Sequence, residues 1–253
     1  MRHIYTDTMI FKTPVLVGMV VVIITVAVFL GVSPWNTITT GLRTIEFGGK
    51  LLVYEIDPSL FSFSLASSTT PLSLSQWREK TGAEIVINGG YFHQDYSPSG
   101  ALVIDGKLVS SRAFDQDRSA LLAINSNGKP EILNLATDPV SDFTQFEFAL
   151  QSYPMLIDNG AEMIAVDSGL LARRTLIGTD VENNIYLMIF DSEPISLFGA
   201  MKFLKKIPIE LTDVLNLDGG PSTGISIAIE DYQTEILSGA PGVPNVLLIK
   251  STP

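Results

Sequence analysis

The sequence predicts an α+β domain, built mostly from antiparallel or mixed sheet with a few helices and preceded by one N-terminal transmembrane helix. Three observations predict this class. Short apolar runs alternate with turn signals such as Asp-Gly and Asn-Gly, two segments have helical character, and one long apolar stretch lies near the N-terminus. Two helices are too few for a Rossmann or TIM-barrel arrangement, and no repeat of fixed length indicates a propeller or a solenoid.

The apolar stretch near the N-terminus predicts a membrane anchor. Its 19 residues, Pro14 to Val32, contain no charge, and as a helix they would be about 29 Å long, close to the thickness of a hydrocarbon core. Arg2 and Lys12 precede them, so the positive-inside rule places the N-terminus in the cytoplasm. The alternative is a cleaved signal peptide, but no A-x-A site follows Leu30. We favour an uncleaved single-pass anchor in the cell membrane.

The predicted organisation therefore has four parts. Residues 1–12 are cytoplasmic, residues 13–33 span the membrane, residues 34–45 form a linker or the approach to the first strand, and residues 46–253 form one extracytoplasmic domain. Both readings of the apolar stretch place this domain on the same side of the membrane.

Composition excludes several classes of site. The chain has 253 residues, 46% apolar and 17% charged, which is too apolar for a disordered protein. The absence of cysteine excludes thiol nucleophiles and thiolate zinc sites, and two histidines, His3 and His93, are too few for a histidine-rich metal cluster. Asp180, Glu182 and Asp191 lack the spacing of an EF-hand loop. A net charge of −11 disfavours nucleic acid. We therefore expect no metal, no cofactor and no nucleic-acid partner.

Apolar runs bounded by turn residues predict the strands. They cover residues 51–56, 61–66, 101–104, 107–110, 119–124, 130–133, 185–190, 225–229 and 246–250. Three turn signals predict hairpins: Asp57-Pro58-Ser59 between the first two runs, Asp105-Gly106 between the next two, and Asn127-Gly128 between the two after that.

Two helices interrupt the strands. Ser73 and Gln76 have the spacing of a capping box, which predicts a helix over residues 73–81. The second helix is predicted from Ser196 to Lys206, with Leu197, Met201 and Leu204 on one face.

Two glycine clusters carry the functional signal. In each, an apolar strand ends in a polar residue followed by paired glycines: Asn88-Gly89-Gly90 and Asn216-Leu217-Asp218-Gly219-Gly220. Paired glycines permit positive φ and expose successive N–H groups, which can form a nest for an anion such as phosphate. The alternative is two ordinary tight turns. Neither cluster matches a P-loop or the G-x-G-x-x-G fingerprint.

Together with the rest of the chain, these clusters resemble the phosphodiester glycosidase family. The resemblance covers about residues 45–250 in the family's order and spacing. The matching segments are Asn88–Phe92, Pro98 with Gly100, Tyr153–Gly160, Arg174–Gly178, Asn216–Thr223 and Val243–Asn245. One departure is Pro221, where the family commonly has a third glycine; it stiffens the loop and removes an N–H donor.

The resemblance implies hydrolysis of a sugar-1-phosphodiester between the anomeric carbon and the phosphate oxygen. Such a site needs a cation and N–H donors for the departing phosphate, and a carboxylate facing the oxocarbenium-like sugar. Asp218, Arg174 and Asn88 are then the predicted catalytic residues, with Arg174 on the phosphate (Arg173 is the alternative) and Asp218 as nucleophile, base or electrostatic partner. The predicted substrate-binding residues are Gly89, Gly90, Tyr91, Phe92, Asn216, Gly219, Gly220, Ser222 and Thr223.

Two other functions stay open. One is a non-catalytic glycan- or phosphoglycan-binding module at the cell surface, and the other is a structural envelope protein in which the glycine loops are only turns. We favour the hydrolase, acting in envelope or exopolysaccharide metabolism, because both Asp218 and Arg174 are present and no heptads occur. For a hydrolase, Asn88, Arg174 and Asp218 should line one cleft, and both glycine clusters should lie at strand ends on one rim of the sheet.

Overall fold

Three antiparallel sheets form the described part of the chain, residues 34–110 and 119–252 of a computed structural model. The predicted cytoplasmic segment 1–12 and transmembrane segment 13–33 lie outside these residues. No helix within the described ranges is long and apolar enough to cross a membrane.

The sheets contain eight, five and five strands, and we name them large, second and third. Their strand orders are β1-β2-β3-β14-β13-β15-β11-β12, β7-β6-β10-β8-β9 and β17-β16-β5-β18-β4. The strands are β1 (Asn36–Thr39), β2 (Leu42–Phe47), β3 (Leu51–Ile56), β4 (Phe61–Leu72), β5 (Ile85–Asn88), β6 (Leu102–Ile104), β7 (Lys107–Ser110), β8 (Ala120–Ile124), β9 (Pro130–Asn134), β10 (Phe148–Ser152), β11 (Met155–Asp158), β12 (Ala161–Glu162), β13 (Ala172–Asp180), β14 (Ile185–Ile195), β15 (Leu211–Asn216), β16 (Ile225–Ile229), β17 (Tyr232–Ile236) and β18 (Val243–Ser251). The remaining elements are the α-helices α1 (Leu74–Thr81) and α2 (Leu197–Leu204) and the 3₁₀ turns η1 (Phe143–Gln145) and η2 (Gly220–Ser222).

The three sheets share one core because side chains alternate along each strand. Tyr54 from the large sheet, Leu122 from the second and Ile87 from the third belong to the same buried cluster. In β5, Ile85 and Ile87 point into this core, whereas the intervening Val86 packs on the other face of its sheet.

Helices cover the outer faces of two sheets. On the third sheet, Trp77 of α1 packs with Val86, and its Nε1 donates to the Val243 carbonyl at 2.9 Å. On the large sheet, Met201 and Leu204 of α2 pack with strand residues such as Met188. The fold is therefore α+β with mainly antiparallel sheet, as predicted.

Local signals predicted both helices. Ser73 Oγ accepts from the Gln76 N–H, and Gln76 Oε1 accepts from the Ser73 N–H, so the capping box is present. Gly82, with φ of 67°, ends this helix in the left-handed conformation. The second helix is capped by Ser196 and ends at Leu204, two residues before its predicted end.

Two of the three predicted hairpins are present. β6 pairs with β7 around Asp105-Gly106, where both φ values are positive as a type I′ turn requires, and β8 pairs with β9 around Asn127-Gly128. The hairpin predicted around Asp57 is wrong, because β3 pairs within the large sheet and β4 pairs with β18 of the third sheet. A turn residue determines the local reversal but not the strand against which the chain pairs.

The stretch predicted as a linker also differs from expectation. Within residues 34–45, β1 and the start of β2 pair with each other, and β2 pairs with β3. Leu42 and Ile45 are buried, so these residues belong to the large sheet. Few charges and a Thr-rich composition suggested a linker, but alternate apolar residues here complete the edge of the sheet.

Candidate active site between two strand ends

The two glycine clusters meet in space. β5 ends at Asn88 in the third sheet, and β15 ends at Asn216 in the large sheet. The Asp218 N–H donates to the Gly89 carbonyl at 3.0 Å, and Asn88 Nδ2 donates to the Asp218 carbonyl at 2.7 Å. The clusters therefore join the ends of strands from two sheets, rather than sharing the rim of one.

Asn88 holds the Asp218 loop in place. Its side chain is fully buried, and Oδ1 accepts from Thr175 Oγ1 at 2.8 Å and from the Gly224 N–H at 3.2 Å. Since both ends of the amide bind protein groups, this geometry gives Asn88 the task of positioning Asp218 and not of touching a substrate.

Gly89 and Gly90 are not an open nest. Their N–H groups donate to Asn245, that of Gly89 to the backbone carbonyl at 3.0 Å and that of Gly90 to Oδ1 at 2.7 Å. A Cβ on Gly89 would lie 2.2 Å from Asn245 Oδ1. In the described chain neither glycine has a positive φ. Close approach of β18 explains the glycine at position 89, and the Leu150 side chain of β10, 2.9 Å from a Cβ on Gly90, explains the second; turn conformation explains neither.

The second cluster is open on one side. A Cβ on Gly219 would lie 2.8 Å from the Arg173 carbonyl, so this position is closely packed. Gly220 has a φ of 57°, and a Cβ there would meet nothing within 4 Å. The N–H groups of Ser222 and Thr223 donate back to the carbonyls of Gly219 and Gly220. Of the four predicted glycines, Gly220 is therefore the one whose backbone borders open space.

The Asp218 carboxyl is half-buried beside this open side. Its Oδ1 accepts from the Gly219 N–H at 2.9 Å. Burial raises the pKa of the Asp218 carboxyl above its ordinary value, although hydrogen bonds from the Ser222 side chain and the Gly219 N–H act in the opposite direction. A partly desolvated carboxylate of this kind suits acid–base chemistry or the stabilisation of a developing cation.

Arg174, on β13, is held by neutral groups. Nε donates to the Ile195 carbonyl at 3.0 Å and Nη2 to the Leu170 carbonyl at 2.7 Å. No carboxylate within residues 34–110 and 119–252 lies in salt-bridge range of its guanidinium. Nη1 is 3.8 Å from the position that a Cβ on Gly219 would occupy. Burial lowers the pKa of this guanidinium, yet it stays charged, so it is a fixed cation suited to an oxyanion.

Arg173 differs from its neighbour. It forms a salt bridge with Asp191, and its Nη2 donates to the Leu237 carbonyl at 3.0 Å. Arg173 lies where the pairing of β13 with β14 shifts register, between Ala172 and Arg174, and its guanidinium meets different groups from that of Arg174. Of the two arginines, Arg174 is therefore the one that has no carboxylate partner among the residues the structure describes.

Tyr91 lies within electrostatic range of both the Asp218 carboxylate and the Arg174 guanidinium. Burial and then the negative charge of Asp218 raise the pKa of the Tyr91 phenol, whereas the positive charge of Arg174 lowers it. The hydroxyl donates to the Tyr153 carbonyl at 3.1 Å and accepts from Asn216 Nδ2. Asp218 and Arg174 therefore both lie within electrostatic range of one phenol. The structure brings the predicted acid, cation and aromatic residue together.

The remaining predicted residues surround this group. Asn216 is fully buried, its Nδ2 also donates to the Tyr153 carbonyl at 3.0 Å, and its Oδ1 has no hydrogen-bond partner in the described chain. Thr223 Oγ1 is likewise buried without a partner there, whereas the Ser222 side chain bonds to Asp218. Phe92 lies further out, with its ring 6.1 Å from that of Tyr96.

Sequence reasoning missed three residues of the site. Tyr153 stacks on Tyr91 with ring centroids 5.1 Å apart and is 41% exposed, so its ring borders the site. Asn245 binds the Gly89-Gly90 backbone, and Thr175 binds Asn88. All three belong to segments that match the family, which was the available signal.

No group of three or more His, Cys, Asp or Glu side chains that could hold a metal ion occurs among the described residues.

The family model for phosphodiester glycosidases matches residues 81–250, more than half of the chain. The chain belongs to the phosphodiester glycosidase family. The matched range contains both glycine clusters and Arg174. Comparison with curated proteins found no match.

Three solved structures share the fold. A hypothetical protein from Synechocystis has a TM-score of 0.66 at 16% identity, with 86% of this chain and 64% of that chain covered. The second is the catalytic domain of zebrafish N-acetylglucosamine-1-phosphodiester alpha-N-acetylglucosaminidase, auto-inhibited by its pro-peptide. It has a TM-score of 0.61 at 20% identity, and the match covers 87% of this chain and 82% of that chain. A putative exported protein from Burkholderia pseudomallei K96243 has a TM-score of 0.59 at 13% identity, with 83% and 74% covered. This chain thus spans slightly less than two thirds of the Synechocystis protein.

Proposed function

We propose that this chain is a membrane-anchored hydrolase that cleaves a sugar-1-phosphodiester between the anomeric carbon and the phosphate oxygen on the extracytoplasmic side. Its setting would be envelope or exopolysaccharide metabolism. The observation that carries the proposal is the grouping of two side chains near Tyr91 and Gly219: the partly buried carboxylate of Asp218, and the guanidinium of Arg174, which has no carboxylate partner among the described residues.

The two side chains suit the two halves of the reaction. When the bond between the anomeric carbon and the phosphate oxygen breaks, negative charge develops on the phosphate and positive charge on the sugar ring. Within the described chain, Arg174 forms hydrogen bonds through Nε and Nη2, so the N–H groups of Nη1 are those that would bind the phosphate. Asp218 supplies a negative charge for the ring, or a base for the water that adds to the anomeric carbon. The products are a free sugar and a phosphomonoester.

The comparisons support the substrate class and the setting. The zebrafish protein of the same fold is described as an N-acetylglucosamine-1-phosphodiester glycosidase, and the Burkholderia protein as exported. The charge-free sequence Pro14–Val32, preceded by Arg2 and Lys12, supports anchoring with the domain outside.

The test uses the full-length chain in lipid nanodiscs with the methyl phosphodiester of N-acetylglucosamine-1-phosphate in ¹⁸O-water. We expect free sugar that carries the label and unlabelled methyl phosphate, because the water oxygen goes to the anomeric carbon. Label in the phosphate would show P–O cleavage and refute the assignment. Asp218→Asn should remove turnover, whereas Asp231→Asn, in an exposed turn, is the matched control. Tight binding of several such diesters without turnover would support a binding module instead.

A further inference from the structure

An exposed apolar loop lies beside the proposed phosphate site. Residues 163–171, which we name the leucine loop, connect β12 to β13. Val166, Leu170 and Leu171 in it are 78%, 71% and 68% exposed. Single exposed apolar side chains are common, but several on one short loop form a patch of the kind that binds an apolar partner.

The leucine loop is held in shape by its own hydrogen bonds. The Gly169 N–H donates to Asp167 Oδ1 at 2.9 Å, and the Leu170 N–H donates to Ser168 Oγ at 3.3 Å. Ile164, at the start of the loop, packs into the core beneath α2. The leucine side chains therefore face solvent from an anchored loop.

The same loop binds Arg174. The Leu170 carbonyl accepts from Arg174 Nη2 at 2.7 Å, so the exposed leucines lie next to the guanidinium proposed to hold the phosphate. A phosphodiester carries two substituents on its phosphate, here the sugar and an alcohol. If the sugar lies towards Asp218, the alcohol must extend from the phosphate in another direction. Arg174 offers one positive charge for one phosphate, and Leu170 and Leu171 expose apolar side chains beside it. A ligand that complements both is an anionic phosphate with a hydrocarbon chain.

The sequence places such ligands within reach. The apolar stretch predicted to span the membrane ends at Val32, and the first strand of the domain begins at Asn36. With the anchor proposed above in the bilayer, the domain would be held close to the phosphodiesters of lipid alcohols that a membrane contains.

We propose that the leucine loop binds the hydrocarbon chain of the substrate's alcohol, so that the substrate is the sugar-1-phosphodiester of a lipid alcohol. This inference rests on the function proposed above, which it narrows to one substrate class. The loop acts on binding, through burial of Leu170 and Leu171, and takes no part in bond cleavage.

The test compares methyl and hexyl phosphodiesters of the same sugar with full-length protein in nanodiscs. We expect the hexyl ester to have a KM at least about tenfold lower, because its additional methylene groups bury apolar surface on the leucines. The double variant Leu170→Ser with Leu171→Ser should bring this ratio close to one. Leu171→Ser alone should lower the ratio and leave kcat on the methyl ester unchanged, because Arg174 is bound by the carbonyl of Leu170 and not by Leu171. Val181→Ser is the matched control, since Val181 is 66% exposed but follows the far end of β13 from Arg174.

A binding measurement keeps this inference separable from the proposed function. Calorimetry with hexyl phosphate and methyl phosphate needs no turnover, and wild-type protein should bind the hexyl ester at least about tenfold more tightly. Equal affinities, or a preference that survives the double variant, would overturn the inference even if both diesters are hydrolysed. A change in oligomeric state in the double variant, with no chain-length preference in the wild type, would assign the loop to contact between copies and would also overturn it.

Discussion

Replacing Asp218 by Asn should lower the rate of catalysis without lowering the stability of the fold. Asn keeps the size of the side chain and an oxygen that accepts from the Gly219 N–H, but it carries no charge. If Asp218 acts mainly in the transition state, kcat should fall by roughly 100-fold or more, which corresponds to about 2.7 kcal/mol of lost transition-state stabilisation. Initial rates with a sugar-1-phosphodiester measure this loss.

The same variant should be at least as stable as the wild type, and its advantage in free energy of unfolding should grow as pH rises. Burial raises the pKa of the folded carboxyl above its value in the unfolded chain. Below the pKa of the unfolded chain, Asp218 is protonated in both the folded and the unfolded states and does not change the free energy of unfolding. As pH rises through the pKa of the folded state, the wild type is increasingly destabilised, because a partly buried carboxylate becomes charged. Asn does not titrate. The unfolding temperature of the variant relative to wild type should therefore be higher at pH 7.5 than at pH 4.5.

Two results would refute this reasoning. Near-normal kcat in folded Asp218→Asn would exclude Asp218 from the chemistry. A lower unfolding temperature for the variant at neutral pH would show that the charge stabilises the loop, contrary to the direction of its pKa shift. Asp231→Asn, in an exposed turn, should change neither quantity.

Three further variants test the neighbouring groups. Arg174→Lys should lower kcat by roughly 100-fold and raise KM, because Lys keeps the charge but not the planar guanidinium that binds a carbonyl and the phosphate at the same time. An equal effect of Arg173→Lys in steady-state kinetics would contradict the assignment of the phosphate to Arg174. Tyr91→Phe should keep the fold and lower kcat by about tenfold, because the phenol links Asn216 to the Tyr153 carbonyl beside Asp218; unchanged rates would limit Tyr91 to packing. Asn245→Ala should reduce the free energy of unfolding by about 2 kcal/mol in a urea titration, since the buried Gly90 N–H loses its acceptor, and an unchanged midpoint would mean that the loop finds another acceptor.

Short-range interactions made much of the fold predictable. The capping box of Ser73 and Gln76 joins residues three apart, and the hairpins at Asp105-Gly106 and Asn127-Gly128 depend on backbone conformations of the turn itself. Strand positions followed from runs of apolar residues, because β-strands buried in a shared core need them. These features depend on neighbours in the chain, so the sequence displays them directly.

Pairing between distant segments was not predictable in the same way. The turn at Asp57 looks like a hairpin turn, yet β3 and β4 enter different sheets. Residues 34–45 have the composition of a linker, yet they pair with β3 at the edge of the large sheet. The strand with which a segment pairs depends on how the buried faces of complete sheets fit together. A local sequence pattern does not contain this information.

The site shows the same division. The sequence alone identified the two glycine clusters and Asp218, because polar residues after apolar strands are visible in it. The resemblance to the family singled out Arg174, with Arg173 as the alternative. Only the tertiary structure decided that Gly89 is glycine because Asn245 lies against it, 156 positions further along the chain. It also distinguished the two arginines, because Arg173 pairs with Asp191 whereas the guanidinium of Arg174 binds neutral carbonyls. Burial and charge pairing are properties of the assembled surroundings, and residues from separate sheets create them only when the strands come together.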